Sequence, residues 1–136
     1  MLNYLEKNRK YFVYVPLIIY WLILFAGTSL PAQTVPQFGV KDKLEHFLAY
    51  LGLTFMLSIT FIIQDKIKLF KQRPFLFAFL IGSVYGIIDE VHQLIIPGRS
   101  CELLDLSADI IGCILGIILS YIFVKIDYYR QATNTE

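Results

Sequence analysis

Residues 11–30 read YFVYVPLIIYWLILFAGTSL, and no Asp, Glu, Lys or Arg occurs between Lys10 and Lys41. About 20 nearly all-apolar residues, at about 1.5 Å each in a helix, match the roughly 30 Å hydrocarbon core of a bilayer. The stretch is read as a transmembrane helix over 11–30. Three more such runs follow. One lies between Glu45 and Asp65, giving a helix over 43–63. The next begins at Pro74, suited to the first helical position because its missing N–H has no partner there, and runs over 74–93. The last runs over 104–124, uncharged after Asp109. These four helices fill most of the 136 residues. Hydrophobic types make up 57%, against roughly 45–50% in soluble domains. Charged types make up 17%, against roughly 25%, and mean hydropathy is +0.61. A small soluble domain needs far more polar surface, so a soluble globular protein, a disordered chain and a coiled coil are excluded. The predicted fold is all-α, a single domain over 1–136 forming an integral membrane bundle of four transmembrane helices. Residues 31–41 are expected to form an irregular outer loop and 64–73 the inner loop. Net charge is +1, which gives no argument for a nucleic-acid partner. Two cysteines cannot make a disulfide framework or a four-cysteine zinc site.

Positive charge sets orientation. Lys7, Arg9, Lys10, Lys66, Lys68, Lys71, Arg73, Lys125 and Arg130 lie on one side, and only Lys41, Lys43 and Arg99 on the other. Both termini are therefore expected in the cytoplasm. Tyr11, Tyr14, Tyr121, Tyr128 and Tyr129 would form an inner aromatic belt. A cleaved signal peptide over 8–32 is the rival reading of the first run, but the run is long for one and carries Pro16, Tyr20 and Trp21.

The polar residues inside the spans are patterned. Asp42, His46 and Tyr50 fall at i, i+4 and i+8, one stripe of a helix. Tyr85, Asp89 and Gln93 repeat that spacing, with Gly82 and Gly86 beside them. Asp105 and Asp109 lie one turn apart, followed by Gly112 and Gly116. Asp89 and Asp109 each stand 15 residues from the inner end of their helix, about 22 Å along it, so the two carboxylates reach similar depth near the outer side. A charged group in the membrane is a functional-site hypothesis by default. The alternative, ion pairs and capping bonds that only hold the bundle, stays open, including a capping role for Asp105. Pro97-Gly98 marks a turn that would bring Arg99 toward the carboxylates, where a guanidinium can grip phosphate at two points.

The candidate catalytic groups are His46, Asp89, Glu90 and Asp105, for acid–base work near neutral pH. Lys43, Tyr50, Gln93 and Arg99 are candidates for holding substrate. Asp89, Glu90 and Asp109 could hold Mg²⁺ or Mn²⁺ through oxygen ligands. Asp89 is expected to face the fourth helix, and Glu90 the second helix or the loop. The paired glycines are read as places where the third and fourth helices meet.

These residues also carry a family likeness. Ser29-x-Pro31, Asp42-Lys43-x-x-His46-x-x-x-Tyr50, Gly86-x-x-Asp89-Glu90-x-x-Gln93-x-x-x-Pro97-Gly98-Arg99, Asp105 and Ala108-Asp109-x-x-Gly112-x-x-x-Gly116 resemble the VanZ-like family of small membrane proteins. Many members carry asparagine where this chain has Asp109. The resemblance implies a multi-pass protein of the bacterial cytoplasmic (inner) membrane with a link to the cell envelope and glycopeptide-antibiotic resistance, and brings no settled activity. Three functions stay open. One is an enzyme of phosphoryl or glycosyl transfer on a membrane lipid or lipid-linked cell-wall intermediate. The second is a non-catalytic accessory protein that binds such a head group. The third is a small transporter, disfavoured because the inner halves of the last three helices lack matching polar residues.

Overall fold

The computed structural model describes residues 1–31 and 40–133. Among them the chain is all helical: α1 (Leu2–Lys7), a π-helical turn (Lys10–Tyr14), α2 (Val15–Thr28), α3 (Val40–Ile63), α4 (Lys68–Gln72), α5 (Pro74–Gln93) and α6 (Leu103–Thr133). Four segments are long and apolar enough to cross a membrane: Lys10–Thr28, Asp42–Ile63, Pro74–Gln93 and Leu103–Thr133. The protein is a multi-pass helical membrane bundle.

Local chemistry explains the boundaries. Pro16 has no N–H to offer the preceding turn, and the ladder ahead of it widens, with Val15 N–H reaching Lys10 O. Pro74 opens α5. The connection over 64–73 is not a plain loop, since residues 68–72 form α4. Its entry is closed by Gln64, whose side chain accepts from Ile67 N–H at 2.8 Å and donates to Ile67 O at 2.9 Å. The last helix runs to Thr133, nine residues past the expected end at 124. Charge at Lys125 ends the apolar run but not the helix, because no Gly or Pro follows to break it. The extension has a task at the termini end. Asp127 accepts from the Met1 amine at 2.7 Å and Leu2 N–H at 3.0 Å. Most of the irregular loop expected over 31–41 lies outside the described residues, and Val40 and Lys41 belong to α3.

α3 is the hub. Half of its span is buried, against 11% of the first span, and it packs most extensively on α6, then on α5. Glycines make this possible. A methyl group on Gly112 would meet the Phe47 carbonyl oxygen, and one on Gly116 the Leu51 carbonyl oxygen and Thr54 Oγ1. These two glycines therefore mark the α3–α6 contact, not the α5–α6 contact expected from sequence. Gly82 and Gly86 do face α6, at Cys113 and Asp109, and also α3, at Thr54 and Tyr50. Thr54 donates to Tyr50 O at 2.8 Å and across to Cys113 O at 3.1 Å. α2 packs on the side of this core. Tyr20 donates to Ala49 O at 2.9 Å, and Trp21 meets Tyr85 edge-on at 5.4 Å. Ile18, Ile19, Leu22, Ile88, Ile111, Ile118 and many other large apolar side chains stay exposed on the outside, as lipid-facing positions require.

Gly116→Ala should destabilise the bundle by about 1–3 kcal/mol, since backbone cannot yield to the added methyl. Gly27→Ala, with nothing within 4 Å of the new atom, should be neutral or stabilise by up to about 1 kcal/mol through helix propensity. Thermal unfolding in one detergent should rank Gly27→Ala at or above wild type and Gly116→Ala below both. At the termini end, Lys71 and then Arg9 bond Asp65 and hold its carboxyl below the usual value. That contribution is present at neutral pH and is lost as pH falls through the lowered value. The unfolding midpoint of Asp65→Asn should therefore vary less than wild type between neutral and acid pH, by a small amount because these groups are exposed.

Candidate functional site

The polar stripes converge at the end of the bundle opposite the termini. The convergence begins with the turn after α5. Arg99 N–H bonds Ile96 O at 3.1 Å, and Gly98 has a φ of 77°. Proline then glycine at the centre of such a turn is the type II pattern, in which the left-handed position favours glycine. The turn returns the chain over the helix ends. Glu102 carbonyl accepts from Asp105 N–H and Leu106 N–H and so starts α6.

Two linked groups result. The first is a buried trio. His46 Nδ1 stands 3.0 Å from Asp109 Oδ1 and 4.0 Å from Glu90 Oε1. One potential ligand atom from each residue lies within 4.8 Å of the others. Glu90 Oε2 accepts from the Glu102 backbone N–H at 2.8 Å, which ties the trio to the loop. Glu90 Oε1 and Asp109 Oδ2 are buried with no hydrogen-bond partner. Beside the trio, Lys43 Nζ bridges Asp105 at 3.0 Å and Glu102 at 3.1 Å, and Lys43 holds the Glu102 carboxyl below its ordinary value. Asp105 is thus paired with a lysine across the α3–α6 contact.

The second group lines a cavity of roughly 320 Å³ between α2, α3 and α5. One wall is apolar, with Ile23, Leu24 and Leu30. The other carries Asp42, Glu45, His46, Tyr50, Asp89 and Arg99. Tyr50 donates to Asp89 Oδ2 at 3.3 Å. Arg99 Nη1 lies 3.8 Å from Asp42 Oδ1, and Arg99 Nε donates to Leu30 O at 3.4 Å. Both distances are long for a guanidinium. His46 belongs to both groups: it lines the cavity and touches the trio.

The structure regroups the residues singled out from sequence. His46, Asp89, Tyr50 and Arg99 share the cavity, while Glu90, Asp105 and Asp109 lie behind His46. The oxygen set of Asp89, Glu90 and Asp109 is not one cluster, because His46 takes the place of Asp89 beside Glu90 and Asp109. Asp89 faces α3 through Tyr50 and the α2 side of the cavity, not the last helix; Glu90 does face α3 and the loop. Gln93 is buried, with its Nε2 unpartnered, and does not line the cavity. Glu45 and Glu102 were missed. Glu45 sits off the stripe that starts at Asp42, and Glu102 precedes the apolar run, so neither has a periodic signal. His92 was missed as well: its Nε2 lies 3.1 Å from Ser29 Oγ and its ring packs on Phe25.

The uncharacterized protein C11E3.10 of Schizosaccharomyces pombe is 25% identical over 125 residues, covering 91% of this chain and 70% of the relative. No solved structure matches the chain. The model of the VanZ/LLP1 family matches residues 3–124, a range that holds all four spans up to Val124, the cavity and the trio. On that match, with the buried His/Glu/Asp cluster at its centre, the chain belongs to the VanZ/LLP1 family.

Proposed function

We propose that this membrane protein receives a phosphate-bearing lipid head group in the cavity between α2, α3 and α5, on the outer side of a bacterial cytoplasmic membrane. The observation that carries the proposal is the split lining. An apolar wall of Ile23, Leu24 and Leu30 suits the acyl or prenyl root of a lipid, and the facing wall offers one guanidinium among acids. A volume of roughly 320 Å³ is enough for a head group and part of its root. Arg99 is the anion clamp: its contacts to Asp42 and Leu30 are long enough to be exchanged for two short bonds to phosphate. Acids outnumber cations on this wall, so the rest of the head group is a donor of hydroxyl or amine hydrogens and not a second anion. Asp89, oriented by Tyr50, is positioned to accept a proton from a hydroxyl, and His46 to pass one on. Those roles suit phosphoryl or glycosyl transfer. The same residues without Asp89 turnover would describe an accessory binder.

Two experiments test this reading. Cys101 is exposed and Cys113 is buried, so a membrane-impermeant maleimide applied to intact cells should label the wild type at Cys101 and leave Cys101→Ser unlabelled. Labelling that requires permeabilisation reverses the orientation. Native mass spectrometry of protein in mild detergent should show a retained phospholipid. Retention should fall about tenfold in folded Arg99→Lys, which keeps the charge and loses the two-point grip. Incubating that lipid with hydroxyl acceptors should give turnover that drops about 10²–10⁴-fold in Asp89→Asn. Retention with no turnover in the wild type assigns the cavity to binding alone, and absence of retained lipid removes the head-group reading.

A further inference from the structure

We infer that His46, Glu90 and Asp109 form a binding site for one divalent first-row transition-metal ion, with one imidazole nitrogen and two carboxylate oxygens as protein ligands. The inference stands on the trio's own geometry, independent of any lipid in the cavity.

Three observations meet here. The first is spacing. Ligands bound at about 2.1 Å lie about 3.0 Å apart at a right angle and about 3.4 Å apart at a tetrahedral one. His46 Nδ1 lies 3.0 Å from Asp109 Oδ1 and 4.0 Å from Glu90 Oε1, and one ligand atom from each residue lies within 4.8 Å of the others, so modest side-chain movement closes the set around an ion. The second is the unmet demand of the carboxylates. Glu90 is 1% exposed and Asp109 0%, yet Glu90 Oε1 and Asp109 Oδ2 have no hydrogen-bond partner. Buried carboxyl oxygens without a partner are costly, and a bound cation would meet them. Among the described residues the cationic side chains at this end lie elsewhere, Lys43 on Asp105 and Glu102 and Arg99 on the cavity side near Asp42, so only the His46 ring faces the two carboxylates. A divalent ion with neutral His46 balances the two carboxylates. The third is access and support. His46 forms part of the cavity wall, so the trio lies next to the cavity. The Glu102 N–H on Glu90 Oε2 orients that carboxylate from outside the site, as partners of ligands commonly do.

The donor set selects the ion. An imidazole among the ligands favours Zn²⁺ over Mg²⁺, which prefers an octahedron of oxygens, and Mn²⁺, which takes the two carboxylates, serves as the spectroscopic probe. This differs from the all-carboxylate set expected from sequence, because it exchanges Asp89 for His46.

The test uses full-length protein in detergent, stripped with EDTA and exchanged into metal-free buffer. Mn²⁺ titration followed by electron paramagnetic resonance should show one saturable ion per chain. Zn²⁺ should displace it stoichiometrically, a large excess of Mg²⁺ should not, and bound Zn²⁺ should raise the unfolding midpoint. Glu90→Gln and His46→Gln should each weaken binding by roughly 100-fold or more, at or beyond the loss caused by disturbing a ligand's supporting partner. Asp109→Asn preserves shape and the bond to His46 and serves as the variant that folds. It should also lose tight binding, whereas Asp65→Asn at the termini end should bind as wild type. No saturable Mn²⁺ or Zn²⁺ binding by wild type overturns the site and leaves the trio an ion-pair network. Binding unchanged in Asp109→Asn overturns it equally. Lipid retention measured on the same samples is a separate readout, so failure of the metal site and failure of the head-group proposal are distinguishable.

Discussion

The backbone of α6 lies directly on the backbone of α3, and the rest of the molecule is arranged around that contact. In a bilayer, apolar side chains gain little by leaving lipid for protein, so helices associate through close packing and polar bonds. Gly112 and Gly116 remove the side chains that would hold α6 away from Phe47 and Leu51. Once the axes are that close, Asp109, one turn before Gly112, falls beside His46, one residue before Phe47. The same approach brings Asp105 to Lys43 and the Cys113 carbonyl to Thr54. The acidic cluster is thus a consequence of glycine packing as much as of the acids themselves.

α5 completes what that pair begins. Gly82 and Gly86 let it settle against both α3 and α6. Because Asp89 and Glu90 are neighbours about 100° apart on the helix, they are directed into different compartments. Glu90 turns toward His46 and the loop, and Asp89 toward Tyr50 and the cavity. The bundle therefore keeps two acidic environments side by side, one buried and one lining the cavity. His46 is their shared wall.

The two ends of the bundle differ in kind. At the termini end the polar contacts are mostly exposed: Arg9 and Lys71 on Asp65, Asn3 on Gln131. Asp127 is the buried exception, and its amine partner and Leu2 N–H satisfy it. At the other end buried oxygens remain unsatisfied. At the termini end Asp65 and Asp127 are paired, whereas the trio carries two buried oxygens that are not.

Residues 11–30 and the three later apolar runs determined by themselves that this chain is a four-helix membrane protein, because bilayer thickness imposes a length and composition that no soluble element shares. The i, i+4 spacing of Asp42, His46 and Tyr50, and of Asp89 and Gln93, likewise placed the polar side chains on stripes at one end. Periodicity is a property of one helix, however. It says which residues share a face and not which helix that face meets. Only the tertiary structure decided that Gly112 and Gly116 pack on α3, that His46 stands with Glu90 and Asp109 while Asp89 stands with Tyr50, and that Lys43 answers Asp105. It also decided where α6 ends, since a charged residue closes an apolar run without breaking a helical ladder. Rotation and depth of one helix against another are set by interlocking surfaces, and those exist only once the helices are together.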